Sequence, residues 1–267
     1  PEGLYTPPSD GAVVRELQTI KELGFNLLRK HAKIEPQRWY YHCDKLGLIV
    51  WQDMVNGGGP YKLWFVTYLT NVFQPLLRRL PDARPLWGLL GRETEAGREE
   101  YARELEATVK ALQCHPCVGC WVPFNEGWGQ FDAAGAVEAV RRLDDTRLVD
   151  EASGWYDQGG GDVDSLHNYF YPLRVRPRSR VVALSEYGGI AWPMPGHEPP
   201  RWKKLQLETV LPQLKKGLSA LVYTQVSDVE DEVNGLFTYD RAAIKPDPAA
   251  VRAVNQALEA AFEKIVE

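Results

Sequence analysis

The chain has 267 residues, of which 44% are hydrophobic and 25% charged. This composition excludes a disordered chain, a collagen and a disulfide-rich miniprotein. The length allows one large domain or two small ones. Its 36 acidic residues outnumber 31 basic ones, for a net charge of −5 without any basic block, so we expect neither a nucleic acid nor an anionic membrane as partner. No apolar run approaches the ~20 residues of a transmembrane helix.

Helices alternate with short apolar strands along the chain. Apolar spacing and flanking Gly and Pro residues predict helices over 13–23, 36–46, 62–79, 93–113, 132–143, 202–216 and from 248 to the end. The short apolar runs between them predict seven strands, at 25–28, 48–51, 118–124, 147–150, 163–166, 181–184 and 218–223. Short apolar strands separated by helices are typical of a parallel sheet covered on both faces.

Two α/β folds fit this order of elements. A doubly wound sheet would carry a glycine-rich phosphate loop after an early strand, but the glycines at 57–59 match neither GxGxxG nor GK[ST]. A (β/α)8 TIM barrel takes about 250 residues, and seven strands are one short of it. We therefore predict the α/β class and a (β/α)8 TIM barrel.

The cysteines and one acidic segment raise the question of a metal. Cys114 and Cys117 form a CxxC pair, a spacing common among zinc ligands. No second CxxC or HxxxH completes four ligands, and Cys120 lies in a predicted buried strand, where cysteine acts as a small hydrophobic residue. The acidic residues of 228–232 could bind a cation, but a solvated loop is the simpler interpretation. We predict no metal site and no cofactor.

Polar residues follow the predicted strands at the position where a barrel collects its catalytic groups. These residues are Arg29, His31, Gln52, Asp53, Asn125, Glu126, Asp150, Glu151, His167, Asn168, Tyr169, Glu186, Tyr187, Tyr223, Gln225 and Asp228. Two motifs are the sharpest: Asn-Glu-Gly-Trp, which contains Glu126, and Ser-Glu-Tyr-Gly-Gly, which contains Glu186.

Two carboxyl groups that face each other are the minimum equipment for glycoside hydrolysis. One donates a proton to the leaving oxygen, and the other attacks the anomeric carbon or activates water. Asn125, beside Glu126, could bind the sugar 2-hydroxyl. The simpler interpretations are a helix-cap or surface role for each glutamate and a structural pair for Arg29 and His31.

The sequence resembles a known family in five blocks that occur in order and cover nearly the whole chain. Residues 24–31 read GFNLLRKH, 39–53 WYYHCDKLGLIVWQD, 122–128 VPFNEGW, 185–189 SEYGG and 223–235 YTQVSDVEDEVNG. As a set they resemble the catalytic barrel of glycoside hydrolase family 2, the β-galactosidase, β-glucuronidase and β-mannosidase family.

The resemblance implies a retaining mechanism in which Glu126 is the acid/base and Glu186 the nucleophile. Tyr169 falls where the family has a tyrosine that contacts the nucleophile, and Arg29 and His31 fall where the family has substrate-pocket residues. The residues expected to bind substrate are Arg29, His31, Asp53, Asn125, Trp128, His167, Tyr169 and Tyr223.

The resemblance also implies a longer native protein. In the family, a first barrel strand precedes the segment that here begins at Pro1, and β-sandwich domains precede the barrel. We therefore expect residues 1–267 to form a catalytic barrel without its first strand, with an open seam between the strands at 25–28 and 218–223. Such an excised barrel would be weakly stable and poorly active.

The substrate class follows from motifs that the chain lacks. Neither the Asn-x-Lys motif of the glucuronidases nor the Gly-Asn-Asn-Glu form of the mannosidases stands in its expected place, so a neutral β-galactoside-like substrate is favoured. The alternatives are a non-catalytic carbohydrate-binding barrel and an inactive fragment of a larger glycosidase.

Overall fold

The computed structural model describes residues 7–169, 172–176, 179–188, 203–230 and 232–266. The chain divides into two compact units, one of residues 27–167 and one that combines residues 1–26 with residues 168–267. Among the helices within the described ranges, none is both long and apolar enough to cross a membrane.

Within the described ranges, the predicted helices and strands are found in the predicted order. The helices are α1 (Asp10–Glu22), α2 (Gln37–Leu46), α3 (Thr70–Leu77), α4 (Arg84–Trp87), α5 (Glu95–Leu112), α6 (Ala133–Leu143), α7 (Leu211–Leu214) and α8 (Pro248–Val266), with π-helical turns at Trp64–Leu69 and Leu205–Val210 leading into α3 and α7. The strands are β1 (Leu27–Lys30), β2 (Ile49–Asp53), β3 (Val118–Val122), β4 (Phe124–Asn125), β5 (Leu148–Val149), β6 (Ala152–Ser153), β7 (Val163–Asn168), β8 (Val181–Tyr187) and β9 (Leu218–Tyr223).

Each of the seven predicted strands overlaps an observed strand, but one of them is split. The predicted strand 118–124 is interrupted at Pro123, between β3 and β4, because proline has no N–H to donate to a sheet. The two halves pair with different partners, β3 with β5 and β4 with β6. The short helix α4 and the short strand β6 are not anticipated by the apolar pattern.

In the unit of residues 27–167, strands β1, β2, β3 and β5 form a parallel sheet in that order. Four of the five residues of β2 are buried, which indicates that both faces of the sheet are covered. Helix α2 leads into β2 through Gly47, whose left-handed φ of 64° suits the residue after a helix. Asp53 therefore stands at the carboxyl end of β2, and Arg29 near the carboxyl end of β1.

In the other unit, β8 pairs in parallel with β9, and the two terminal helices are joined. The guanidinium of Arg252 on α8 donates 2.5 Å to the carbonyl of Glu22, and the amide of Asn255 donates 2.9 Å to the carbonyl of Leu23. These bonds satisfy carbonyl groups at the end of α1 that no helical N–H can reach.

Candidate active site

Arg29 is the centre of a buried polar cluster in the unit of residues 27–167. Its Nε and Nη2 donate to the two oxygens of Asp53, each over 2.9 Å, and Nη2 also donates 2.6 Å to Oδ1 of Asn125. Both side chains of the ion pair are 2% exposed. A two-bond pairing of a planar guanidinium with a carboxylate fixes both groups in orientation as well as position.

Asp53 is held in its ionised form by this cluster. Burial by itself would raise the pKa of the carboxyl, but the charge of Arg29 and a hydrogen bond with His31 outweigh it, and the net pKa is lowered. Nδ1 of His31 lies 3.0 Å from Oδ2 of Asp53, and its ring is 60% exposed. His31 thus lies where the buried cluster meets solvent.

Glu126 lies on a tight turn after β4. It has a positive φ of 53°, and Gly127 follows with 71°. A Cβ at Gly127 would stand 2.2 Å from the ring of Tyr156, so only glycine fits. The N–H of Glu126 donates 2.9 Å to the carbonyl of Ser153, and the N–H of Trp128 donates 2.9 Å to the carbonyl of Asn125.

The carboxylate of Glu126 is bonded to His167, at the end of β7. Nδ1 of His167 lies 2.9 Å from Oε1 of Glu126, and Nε2 lies 3.0 Å from Oγ of Ser153 and 3.4 Å from Nη1 of Arg29. The imidazole is completely buried, whereas the Glu126 side chain is 16% exposed. The partly exposed carboxylate of Glu126 is thus hydrogen-bonded to a buried imidazole whose own position is fixed by further contacts.

Trp128 presents an aromatic surface two residues after Glu126. It is 37% exposed, and its ring centroid lies 5.4 Å from that of Tyr61. The side-chain amide of Asn56 donates to the Trp128 carbonyl. An exposed ring on a turn held by hydrogen bonds is suited to contact with the flat face of a sugar or an aryl group.

Tyr169 and Glu186 meet in the unit that contains residues 168–267. The tyrosine hydroxyl donates 2.5 Å to Oε2 of Glu186, on β8. Tyr223, at the end of β9, packs edge-on against Tyr187 with centroids 5.8 Å apart, and burial raises its pKa to about 12. A Cβ at Gly188 would lie 2.4 Å from the Tyr223 ring, so the glycine after Tyr187 makes this packing possible.

The structure brings most of the predicted residues together within their own units. Polar contacts connect six of them in one unit, namely Arg29, His31, Asp53, Asn125, Glu126 and His167, with Trp128 on the same turn as Glu126. Tyr169 and Glu186 form a pair in the other unit, with Tyr223 on the neighbouring strand.

Ser153 is absent from the residues predicted from the sequence. Asp150 is predicted only as one of the polar residues at strand ends. Ser153 is fully buried, and its position just after a strand-end acidic pair was the available signal. Asp150 is 1% exposed, and burial raises its pKa to about 6, although Ser165 donates a 2.8 Å hydrogen bond to it.

The two motifs weighed as metal sites have other surroundings. In the CxxC pair, Cys117 is buried and its thiol donates to the carbonyl of Tyr40 over 3.5 Å, whereas Cys114 is exposed. Cys120 is completely buried in β3. In the acidic loop, Asp228 accepts from Lys245 over 2.6 Å, and Glu232 accepts from Gln225 over 2.9 Å. Asp231 lies outside the described residues.

Comparison with known proteins agrees with this architecture. The family model of the glycosyl hydrolases family 2, TIM barrel domain, matches residues 9–172. A β-mannosidase B of Thermothelomyces thermophilus is 29% identical over 101 residues, which are 38% of this chain and 8% of that protein.

Two solved glycosidase structures have a similar fold. The GH2 β-galacturonidase from Eisenbergiella tayi bound to galacturonate superposes with a TM-score of 0.65 at 15% identity, over 94% of this chain and 48% of that one. The β-glucuronidase of Ruminococcus gnavus gives a TM-score of 0.61 at 18% identity, over 94% of this chain and 47% of that one. The chain thus spans about half the length of either structure.

The likeness in fold and the family model together confirm the predicted (β/α)8 TIM-barrel class. The missing first strand and the open seam stay predictions. Because the family model matches more than half of its residues, the chain belongs to glycosyl hydrolase family 2 and carries the TIM barrel domain of that family.

Proposed function

We propose that the chain is the catalytic barrel of a retaining β-glycosidase, with Glu126 as acid/base and Glu186 as nucleophile. One observation carries the proposal: His167 and Tyr169, two positions apart in the sequence, each bond one of these glutamates. When a reaction uses two carboxyl groups in different roles, each group needs its own environment, and separate hydrogen-bond partners provide one.

In the first step, the ionised carboxylate of Glu186 attacks the anomeric carbon as the bond to the leaving oxygen breaks. Glu126 gives its proton to that oxygen. In the second step, Glu126 takes a proton from water, the water oxygen attacks the anomeric carbon, and the bond to Glu186 breaks. Two inversions leave the β configuration unchanged.

The buried cluster supplies the binding side of the reaction. Because Arg29 donates to Oδ1 of Asn125, the orientation of that amide is fixed with its NH2 group as the remaining donor. An amide NH2 beside the acid/base suits the sugar 2-hydroxyl, where hydrogen bonds strengthen in the transition state. Asp53 and His31 extend the same cluster toward solvent, and Trp128 offers a face to the leaving group.

For the substrate, we propose a neutral β-galactoside-like glycoside, because the uronate-binding and mannosidase motifs are absent from the sequence. The bidentate pairing of Arg29 with Asp53 supports a neutral sugar, since that guanidinium already holds a carboxylate. A β-uronide is the second candidate, because the similar structures include a β-galacturonidase and β-glucuronidases.

A panel of chromogenic aryl β-glycosides tests the proposed roles of the two glutamates and the proposed substrate class. We expect turnover of the β-galactoside above the β-glucuronide, β-galacturonide and β-mannoside, and none in Glu186→Gln, since no glycosyl-enzyme can form. Glu126→Ala should lose most activity on poor leaving groups and be partly rescued by azide, which needs no general base. Rescue of Glu186→Ala to a retained β-glycosyl azide would reverse the two roles.

The panel also separates the alternatives. Binding of a sugar without turnover would identify a non-catalytic carbohydrate-binding barrel. Turnover only by a longer form of the chain would identify an inactive fragment, in line with our proposal that N-terminal β-sandwich domains of the same native chain are partners of this barrel.

A further inference from the structure

We propose that Ser153 is a positioning residue that holds His167 in the tautomer with its proton on Nδ1, so that the imidazole donates to Glu126. This inference rests on the proposed acid/base role of Glu126. Ser153 ends β6 and is fully buried, and its Oγ lies 3.0 Å from Nε2 of His167.

Arg29 decides the direction of this hydrogen bond. A guanidinium has only donors, and its Nη1 faces Nε2 of His167 at 3.4 Å, so Nε2 presents its lone pair. The hydroxyl of Ser153, which can donate or accept, therefore donates to the same nitrogen at the shorter distance. A neutral imidazole that accepts at Nε2 carries its proton on Nδ1.

That proton lies where Glu126 needs a donor, because Nδ1 is 2.9 Å from Oε1. A proton on Nε2 would point an N–H at the guanidinium of Arg29, so the geometry favours the proton on Nδ1. His167 is thus a fixed donor to the acid/base.

The donor separates the tasks of the two oxygens of Glu126. Oε1 accepts from His167 both when the carboxyl group is protonated and when it is ionised. The transferable proton is therefore kept on Oε2, from which it passes to the leaving oxygen and to which it returns from water. Without the donor, the proton could reside on either oxygen, and one of these arrangements is unproductive.

Ser153 is itself tied to Glu126 through the backbone. Strand β4 pairs with β6, with Asn125 opposite Ser153, and the carbonyl of Ser153 accepts the N–H of Glu126 over 2.9 Å. Gly154 follows with a φ of 89°, and a Cβ there would stand 2.4 Å from Cγ of His167. One residue thus fixes the backbone of the acid/base by its carbonyl and the supporting imidazole by its hydroxyl.

The test compares Ser153→Ala, which removes only the hydroxyl, with Ser153→Thr, which keeps it. Ser165→Ala is the matched control, because Ser165 is also buried and its hydroxyl bonds Asp150 instead of His167. The first readout is the 15N spectrum of the histidines, with His167 assigned by its loss in His167→Asn.

We expect a pyrrole-type Nδ1 and a pyridine-type Nε2 for His167 in the wild type, in Ser153→Thr and in Ser165→Ala. In Ser153→Ala the second tautomer should become populated, because Nε2 loses the shorter of its two donors. The remaining donor, Nη1 of Arg29 at 3.4 Å, lies beyond the usual length of a hydrogen bond. A wild-type proton on Nε2, a doubly protonated ring at neutral pH, or an unchanged spectrum in Ser153→Ala would overturn the proposal.

The second readout is the dependence of kcat/KM on the leaving group. General acid catalysis contributes about 10²–10⁴-fold, so a misplaced proton should cost about tenfold or more on poor leaving groups and little on dinitrophenyl glycosides. A uniform loss for all leaving groups would indicate a purely structural role. The spectra need no turnover, so a failure of the proposed function is distinguishable from a failure of this inference.

Discussion

The hydroxyl of Tyr169 donates a 2.5 Å hydrogen bond to Oε2 of Glu186. In the proposed mechanism Glu186 is the nucleophile, and this hydrogen bond orients its carboxylate for that role. Tyr169 follows β7, and Glu186 lies near the end of β8.

Removing the Tyr169 hydroxyl should affect the reactivity of the proposed nucleophile, Glu186, more than the binding of substrate. In Tyr169→Phe we expect kcat to fall by about 10-fold or more, with a small change in KM, because the bond matters when the carboxylate reacts. An unchanged kcat, or a loss confined to KM, would contradict this role.

The spacing of the two glutamates follows from the proposed mechanism. We expect the carboxyl groups of Glu126 and Glu186 to lie about 5–5.5 Å apart, since an inverting enzyme needs about 6.5–9.5 Å to admit a water. A crystal structure measures the distance, and proton NMR of the first-formed sugar measures the stereochemistry. A separation near 8 Å together with an α product would refute the nucleophile role.

The ion pair of Arg29 and Asp53 predicts a large stability effect. Arg29→Met leaves a buried carboxylate without its main partner, which costs about 3–5 kcal/mol, and adding Asp53→Asn should recover much of that loss. Urea unfolding measures both variants. As a control, Arg103→Met removes an exposed cation 3.9 Å from Glu99 and should cost no more than about 1 kcal/mol.

The stabilisation by the ion pair of Arg29 and Asp53 should decrease at low pH. The cluster lowers the pKa of Asp53 below 3.8 in the folded chain, so the stabilisation by the ion pair is present above that value and is lost as the pH falls through the folded-state pKa. The difference in unfolding free energy between the wild type and Arg29→Met should therefore shrink toward low pH.

For Asp150 we expect stability to depend on pH in the opposite direction. Burial raises its pKa from 3.8 to about 6, so the folded chain binds the proton more tightly than the unfolded one. Its contribution to stability is complete below about pH 4 and is lost as the pH rises through about 6, a loss of about 3 kcal/mol at most.

Asp150→Asn removes that pH dependence. The variant should be more stable than the wild type at pH 8, and its unfolding free energy should lack the decline between pH 4 and pH 7. Urea unfolding across this range measures the difference. Asp145→Asn, a change at an exposed position on the same segment, is the control and should follow the wild-type curve.

The sequence alone determined the order of elements and the outline of the site, because both depend on local patterns. The stripe of Val13, Leu17 and Ile20 predicts α1, and all three residues are buried on it. Gly47 ends α2, as its position after the apolar stripe predicts. The motifs that contain Glu126 and Glu186 stand at strand ends because each directly follows an apolar run.

Tertiary structure alone decided what surrounds each of these groups. Asp53 lies 24 positions from Arg29, and Ser153 lies 14 positions from His167, and no local pattern encodes such contacts. The raised pKa of Asp150 likewise results from burial by distant segments. A sequence shows which chemical groups follow a strand, but the packing of strands and helices determines the hydrogen bonds and the dielectric environment that give each group its role.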